Sequence, residues 1–274
     1  MRGGAVVALR VAVAGAAGKV GREVVAAILR QPDLQLVGGI GRRSAGQDIG
    51  EVAGAGRIGI PIDRDIRQLL QRTPVDVLVD FTEAQAALAH AFACVDAGVH
   101  LVVGTTGMSR AELEDLETRC RQRGVGAVVS PNFAIGALLM MRLAAIVAPY
   151  MPRCEIVEMH HEAKLDAPSG TALRTAALIA QARGQGDDDR PAVPIHSVRL
   201  PGLVAHQAVI FGLEGQTLTI RHDSTSRSSF VPGVLLAVRR VTQLRGVHSL
   251  EDILFGERPT GSGGAGLTPG PYPA

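Results

Sequence analysis

Residues 11–21 read VAVAGAAGKVG, and the predicted fold of the first half of the chain follows from this stretch. Small apolar residues lead into Gly15, Gly18 and Gly21, and the residues that follow have the apolar spacing of a helix. Such glycines allow a tight turn, close approach of a pyrophosphate to the backbone and close packing of helix on strand. The stretch therefore predicts a strand, a phosphate-binding turn and a helix, the beginning of a dinucleotide-binding domain.

The chain beyond this turn alternates between two patterns. Almost continuously apolar runs, typical of strands buried on both faces, occupy residues 10–14, 34–40, 75–81, 100–104 and 126–130. Helical patterns between them occupy residues 19–30, 83–97 and 110–123. The alternation predicts an α/β domain of the Rossmann type with a parallel sheet. With 33 glycines in the chain, a glycine-rich turn could arise from composition, but its place between the first strand and the first helix favours a nucleotide site.

The pattern changes after residue 133. A predicted helix at 135–147 precedes strand candidates at 155–159, 195–200, 205–211 and 217–222. The last three alternate apolar and polar residues, as in a sheet with one solvent-facing side. We expect a second, smaller α+β domain with a mixed or antiparallel sheet. Smaller features are predicted as a loop at 185–190, a helix at 230–241, a closing turn at 250–253 and a disordered tail at 256–274.

The end of the second predicted strand bears on the choice of cofactor. NAD-selective sites usually place an acid there to bind the ribose 2′-hydroxyl. This chain has Gly41, Arg42 and Arg43 instead, and two guanidinium groups suit a 2′-phosphate. The interpretation is NADPH preference with NADH possible; the alternative is a solvated arginine pair in an arginine-rich chain.

Residues 158–172 read EMHHEAKLDAPSGTA and hold the densest group of reactive side chains. A histidine at 160 or 161 can transfer a proton near neutral pH. Lys164 is one of only two lysines in the chain, and it can neutralise a carboxylate or act as an acid. Ser169 is a predicted N-cap, which would leave the amides of Gly170 and Thr171 facing an anion.

Two other interpretations of this segment remain open. The sequence His-His-Glu at 160–162 could suggest a metal, but it lacks the i, i+4 helical spacing of a zinc site, so we expect no metal. The segment could also be an ordinary strand, loop and helix with surface histidines.

Bulk properties narrow the class of protein. A net charge of +2, with 3% aromatic residues and no Trp, indicates neither a nucleic-acid partner nor an anionic membrane partner. No apolar run approaches the ~18 residues of a membrane span. The apolar run at 5–9 is interrupted by Arg10 and continues into the glycine turn, so we reject a signal peptide. Three cysteines without CxxC spacing suggest reduced thiols in a cytoplasmic protein.

The motif at 158–172, the glycine turn and the GTTG at 104–107 together resemble the dihydrodipicolinate reductase family, from about residue 10 to 252. The resemblance implies NAD(P)H-dependent reduction of 4-hydroxy-tetrahydrodipicolinate, a small dicarboxylate, to tetrahydrodipicolinate with loss of water, in lysine biosynthesis through diaminopimelate. It also implies a homotetramer built through the sheet of the second domain. The rivals are another Rossmann oxidoreductase, such as an aspartate or homoserine dehydrogenase, and a non-catalytic nucleotide sensor.

The resemblance also assigns roles to residues. It implies His160 as the proton donor and Lys164 as the second catalytic group, with no metal. The implied dicarboxylate site comprises His161, Lys164, Gly170 and Thr171. The predicted cofactor contacts are Gly15, Ala16, Ala17, Gly18, Lys19, Val20, Gly41, Arg42, Arg43, Gly104, Thr105, Thr106, Ser130, Pro131, Asn132 and Phe133. The implied domains are residues 1–132 completed by 239–255, and residues 133–238.

Overall fold

The computed structural model of the chain describes residues 8–184 and 193–256. The predicted loop at 185–190 and the predicted tail beyond residue 256 lie outside the described residues. Among the residues that the structure describes, no helix has the length and hydropathy needed to cross a membrane.

The first sheet is parallel throughout, with strand order β11-β6-β5-β4-β1-β2-β3. Its strands are β1 (Leu9–Ala14), β2 (Leu34–Ile40), β3 (Ile62–Asp63), β4 (Val77–Asp80), β5 (His100–Val103), β6 (Gly126–Val129) and β11 (Gly246–His248). The associated helices are α1 (Lys19–Ile28), α2 (Ile49–Val52), α3 (Ile66–Arg72), α4 (Ala84–Asp96), α5 (Arg110–Arg123), α8 (Val231–Val241) and α9 (Leu250–Phe255).

Burial on both faces explains the apolar strands of this sheet. Val77 and Val79 of β4 pack into one hydrophobic core together with α1 and α8, whereas Leu78 packs into the other with α3, α4 and α5. All three side chains are fully buried. Alternate residues of a strand point to opposite faces, so a strand between two helical layers has to be apolar throughout.

The second sheet has strand order β10-β9-β7-β8, and α6 and α7 pack on it. Its elements are α6 (Ile135–Val147), β7 (Arg153–His160), α7 (Gly170–Ala182), β8 (Ile195–Arg199), β9 (Ala205–Leu213) and β10 (Gln216–Ser224). Because β7 is parallel to β8 and antiparallel to β9, the sheet is mixed. The predicted fold class, a Rossmann-type α/β sheet with a smaller α+β part, is confirmed.

Some elements differ from the sequence prediction. The predicted turn at 250–253 is the start of α9, in which Ser249 and Asp252 form a reciprocal capping box. Four elements, α2, β3, α3 and β11, had no counterpart in the sequence prediction, since each is short and lacks a full apolar period. The predicted helix at 230–241 is α8, preceded by a 3-10 helix at Arg227–Phe230.

Candidate active site

The glycine turn lies between β1 and α1, at the carboxyl edge of the first sheet. Gly15 has a φ of 75°, and a Cβ there would lie 2.9 Å from the carbonyl oxygen of Phe81. A Cβ at Gly21 would lie 2.1 Å from the carbonyl oxygen of Gly15, a contact no side chain tolerates. Gly18 is the N-cap of α1 and supplies no side-chain hydrogen bond. The amides at this helix start are therefore available to an anion.

A cavity of about 800 Å³ opens at this turn. It is lined by six of the predicted cofactor residues, namely Gly15, Ala17, Gly18, Gly41, Arg42 and Arg43. Sequence reasoning missed other residues that line it, including Ser44, Arg64, Phe81, Thr82 and His90. Ala16 is buried in the core instead, and Lys19 and Val20 lie in the first turn of α1 outside the lining.

Further predicted cofactor residues surround Phe81 without lining this cavity. A Cβ at Gly104 would lie 2.0 Å from the Phe81 ring, so only glycine fits there. Thr105 donates from Oγ1 to the carbonyl oxygen of Thr82 at 2.8 Å, whereas Thr106 is exposed. The Phe81 ring packs edge-on against Phe133, with 5.8 Å between ring centroids. Phe81 thus connects the turn after β4 with the segment that leaves β6.

A second cavity, of about 280 Å³, lies at the end of β7. It brings together His160, His161, Lys164 and Thr171 with Pro131 and Asn132 from the segment after β6. Ser130 is buried beside this segment and donates from Oγ to the carbonyl oxygen of Asn132 at 2.9 Å. Lining residues that the sequence did not indicate include His206, Gln207, His222, Arg227 and Phe230.

His160 is held from behind by a buried carboxylate. Its Nδ1 lies 2.5 Å from Oε2 of Glu158, whose exposed fraction is 0%. Burial opposes ionisation of Glu158, but hydrogen bonds from Arg199, Ser197 and His160 outweigh it and hold the pKa of the carboxyl below its ordinary value. Burial also lowers the pKa of His160, partly offset by Glu158 and reinforced by the positive charges of Lys164 and Arg199.

Lys164 has a partner of its own. Its Nζ donates to both carboxylate oxygens of Asp166, at 2.6 and 2.8 Å. This hydrogen bond is the main cause that lowers the pKa of Asp166, whose side chain is exposed. A dicarboxylate that binds Lys164 must therefore compete with Asp166, a contact that sequence reasoning did not foresee.

The start of α7 has the geometry expected of an anion site. Ser169 is the N-cap, and its Oγ accepts from the amide of Ala172 at 3.2 Å. The amides of Gly170 and Thr171, at the first two helical positions, have no acceptor among the described residues. Thr171 lines the cavity, whereas Gly170 is exposed beside it.

Two histidines from β9 and β10, His206 and His222, also line the cavity. Nδ1 of His206 lies 2.7 Å from Oδ1 of Asp223, and the amide of Val204 donates to its Nε2 at 3.2 Å. Asp223 and the amide of Val204 therefore hold the ring of His206 from both of its nitrogens. Burial lowers the pKa of His222, which lies 3.1 Å from the Ser224 hydroxyl.

A parallel sheet with a glycine turn at its carboxyl edge, joined to a second sheet that carries a cavity lined by histidines and a lysine, is the arrangement of Rossmann-type oxidoreductases. The family profile described as "Dihydrodipicolinate reductase, N-terminus" matches residues 9–133, and the one described as "Dihydrodipicolinate reductase, C-terminus" matches residues 136–254. The chain therefore belongs to the dihydrodipicolinate reductase family, as the resemblance predicted.

Individual relatives agree with this assignment. The 4-hydroxy-tetrahydrodipicolinate reductase of Moorella thermoacetica is 48% identical over 261 residues, covering 90% of this chain and 98% of the relative. The dipicolinate-bound dihydrodipicolinate reductase from Paenisporosarcina sp. TG-14 is 37% identical with a TM-score of 0.79, covering 90% of this chain and 99% of that one. An amine dehydrogenase from Mycobacterium smegmatis, 15% identical with a TM-score of 0.65 and covering 89% and 95%, shares the fold alone.

Proposed function

We propose that this chain reduces 4-hydroxy-tetrahydrodipicolinate to tetrahydrodipicolinate, with loss of water, in lysine biosynthesis through diaminopimelate. The observation that carries the proposal is the cavity in which His160, Lys164 and Thr171 meet. A proton-transfer group, a cation and free helix amides in one cavity suit a ring imine that bears carboxylates. The Paenisporosarcina reductase has dipicolinate bound, a small dicarboxylate, and this supports the same substrate class for the present chain.

The residues at the glycine turn fit a nicotinamide dinucleotide. The space that a Cβ would fill at Gly15 and Gly21 is closed by backbone, so the turn can only be glycine, and α1 starts without a side-chain cap. A pyrophosphate could therefore approach the amides of this turn, and Arg42 and Arg43, which line the same cavity, would hold the adenosine part of the cofactor. When bound, the nicotinamide supplies a hydride.

The chain's own side chains provide binding and proton transfer. Lys164, once released from Asp166, neutralises one carboxylate, and His161 with the amides of Gly170 and Thr171 holds the other. His160 presents Nε2 to the cavity, since its Nδ1 is bound to Glu158, and transfers the proton. Burial keeps the pKa of His160 low in the free protein. The negative charge of a bound dicarboxylate would raise this pKa and so favour the protonated form of the ring.

Activity with the defined substrate tests the proposal. We expect NADPH oxidation when dihydrodipicolinate synthase generates the substrate in the same cuvette, and none with aspartate semialdehyde or homoserine. Omission of the synthase is the control. NADPH oxidation with aspartate semialdehyde alone, without the synthase, would favour the dehydrogenase alternative, and no oxidation with any of them would favour a nucleotide sensor.

NADPH preference is supported by the cations around the adenosine end of the first cavity. Arg64 lines this cavity together with Arg42 and Arg43, and the guanidinium of Arg42 lies 3.8 Å from the exposed carboxylate of Glu83. We expect a higher kcat/KM with NADPH than with NADH at matched ionic strength. The substitution Arg42→Gln should reduce the NADPH value by about tenfold, the range of one charge-assisted hydrogen bond, and leave the NADH value nearly unchanged. A wild-type preference for NADH would contradict this part of the proposal.

The remaining proposals concern organisation. Residues 1–132 with 239–255 form the nucleotide domain and residues 133–238 the substrate domain. The pairing of β11 with β6 supports the return of the C-terminal segment, whereas α8 packs on the first sheet although most of it precedes residue 239. The chain is cytoplasmic and assembles as a homotetramer through the second sheet, where Ile210, Leu213 and Leu218 are exposed. Sedimentation equilibrium tests the assembly, and a monomer at micromolar concentration would exclude it.

A further inference from the structure

Glu158 is the centre of a polar network that lies behind the His160 cavity. Each of its two carboxylate oxygens accepts hydrogen bonds from two donors. The guanidinium of Arg199 donates to Oε2 at 3.0 Å and to Oε1 at 2.7 Å. The amide of Ser169 lies 3.3 Å from Oε1, and Nδ1 of His160 lies 2.5 Å from Oε2. Glu158 does not line the cavity, so it acts on a ligand only through its neighbours.

Strand register brings these groups together. His160 is opposite Arg199 in the parallel pairing of β7 with β8, and Glu158 lies two residues earlier on the same face of β7. Arg199 also donates to the carbonyl oxygen of Asp166 at 2.8 Å. The network therefore ties the end of β7 to the loop that holds Lys164 and to the start of α7.

The network fixes which nitrogen of His160 carries a proton. An ionised carboxylate only accepts hydrogen bonds, so Nδ1 of the ring must be protonated. Nε2 is then the nitrogen left for the cavity, an acceptor in the neutral ring and a donor in the imidazolium. The other charged groups beside the ring are Lys164, Asp166 and Arg199, and the cavity also contains His161, His206, His222 and Arg227.

We propose that Glu158, held in place by Arg199, is a positioning residue that fixes the orientation and the Nδ1–H tautomer of His160 and so reserves Nε2 for proton transfer. The inference rests on the proposed function for its kinetic readout. Its structural readout, the tautomer of His160, does not depend on which substrate is reduced.

The substitution Glu158→Gln tests the proposal. A glutamine retains the shape but turns one oxygen into an NH₂ group, which then faces Arg199, His160 or Ser169, all of them donors. We expect kcat to fall by ~10- to 10²-fold with little change in KM, in the range of groups that orient a functional imidazole. The pKa on the kcat profile should move downward, because the carboxylate that favours the imidazolium is lost. Nitrogen NMR of the His160 ring should report loss of the single Nδ1–H tautomer.

The chain offers a matched control on the same strand. Glu155 of β7 forms an exposed pair with His196, with 2.8 Å between Oε2 and Nε2. The substitution Glu155→Gln makes the same chemical change, carboxylate to amide, at an exposed position of the same strand. It should leave kcat, its pH profile and the His160 tautomer unchanged, whereas a loss equal to that of Glu158→Gln would overturn the proposal.

A double variant separates positioning from charge balance. Glu158→Gln with Arg199→Gln removes both buried charges, so thermal stability should recover toward the wild-type value even if Glu158→Gln alone fails to fold. The proposal expects kcat and the His160 tautomer to remain perturbed. Full recovery of both would mean that Glu158 only balances Arg199. If the wild type reduces no substrate, the proposed function fails, and the NMR tautomer still decides the inference.

Discussion

The turn at residues 15–21 and the cavity around His160 are built in opposite ways. The turn is made of backbone from one continuous segment, and its close contacts are possible only because its glycines have no side chains. A Cβ at Gly21 would overlap the carbonyl oxygen of Gly15. The cavity is made of side chains from α6, β7, α7, β9, β10 and the 3-10 helix, and its reactive group depends on Glu158 and Arg199 behind it.

The two regions are therefore sensitive to different kinds of substitution. A site made of backbone is disrupted by steric overlap, because an added side-chain atom would clash with backbone that cannot move aside. A site made of side chains is inactivated by a change in the charge or protonation of one group, even when the fold is unchanged. Three substitutions and a change of pH, in order of decreasing effect, would distinguish the two kinds of site.

Loss of the His160 imidazole should have the largest effect. We expect His160→Gln to lower kcat by ~10²- to 10⁴-fold with the thermal unfolding midpoint nearly unchanged, since it removes a proton donor from an intact cavity. Steady-state kinetics and calorimetry measure the two quantities. His196→Gln, at an exposed histidine of the same sheet, is the matched control and should leave both unchanged. A near-normal kcat for His160→Gln would remove His160 from the proton-transfer role.

A single methyl group at the glycine turn should have the next largest effect. Gly21→Ala places a Cβ against backbone that cannot move aside, and overpacking of this kind costs ~1–3 kcal/mol. We expect NADPH to bind about 10- to 10²-fold more weakly, measured by fluorescence titration, together with a lower unfolding midpoint. Gly212→Ala is the matched control, because a Cβ there meets nothing within 4 Å. Equal cofactor affinity in the two variants would contradict a turn built on close backbone contact.

The pH dependence of catalysis and of NADPH binding should distinguish the two regions without any substitution. Burial lowers the pKa of His160 below 6.5, so the imidazolium needed for proton donation is lost from the free protein as the pH rises through that lowered pKa. We expect kcat/KM to fall by up to tenfold for each pH unit above that pKa. The fall in kcat should come at higher pH, because a bound dicarboxylate raises the pKa of His160. NADPH affinity should follow neither profile, and a kcat/KM that rises across the same range would contradict an acid role.

The smallest effect is expected at an ion pair outside both regions, between α7 of the second sheet and α9 of the first. Arg174 of α7 forms an ion pair of 3.1 Å with Glu251 of α9, and the side chain of Arg174 is 57% exposed. Exposed ion pairs contribute ~0–1 kcal/mol, so Arg174→Gln should lower the unfolding midpoint by less than ~4 °C and leave kcat unchanged. A tenfold loss of kcat would contradict the expectation that this surface contact does not affect the cavity.

Local features of the structure can be predicted from the sequence. The glycine turn, the alternation of strands and helices and the N-cap at Ser169 each follow from a few consecutive residues. The network behind His160 cannot be predicted in this way, because β-sheet pairing brings Arg199, 39 residues further along the chain, opposite His160. His206 and His222 reach the cavity through the β9–β10 hairpin, and no local pattern identifies such contacts.

Short helices and strands cannot be predicted from the sequence in the same way. The segment from 41 to 72 contains α2, β3 and α3, but it is rich in glycine and charged residues and gives no complete apolar period. The sequence predicts only a turn where α9 begins. The signal for this helix is a capping box that ends in Asp252 rather than the usual Glu or Gln.

The edge strand β11 sets the order in which the protein can be completed during synthesis. It pairs in register with β6, yet more than a hundred residues separate Val129 from Gly246 in the chain. The ribosome therefore releases all of the second sheet before the first sheet can receive its last strand. Until then β6 has an unpaired edge, which is the kind of surface on which nascent chains associate wrongly. Rapid folding of the second sheet would shorten the loop that β11 has to close and so limit that exposure.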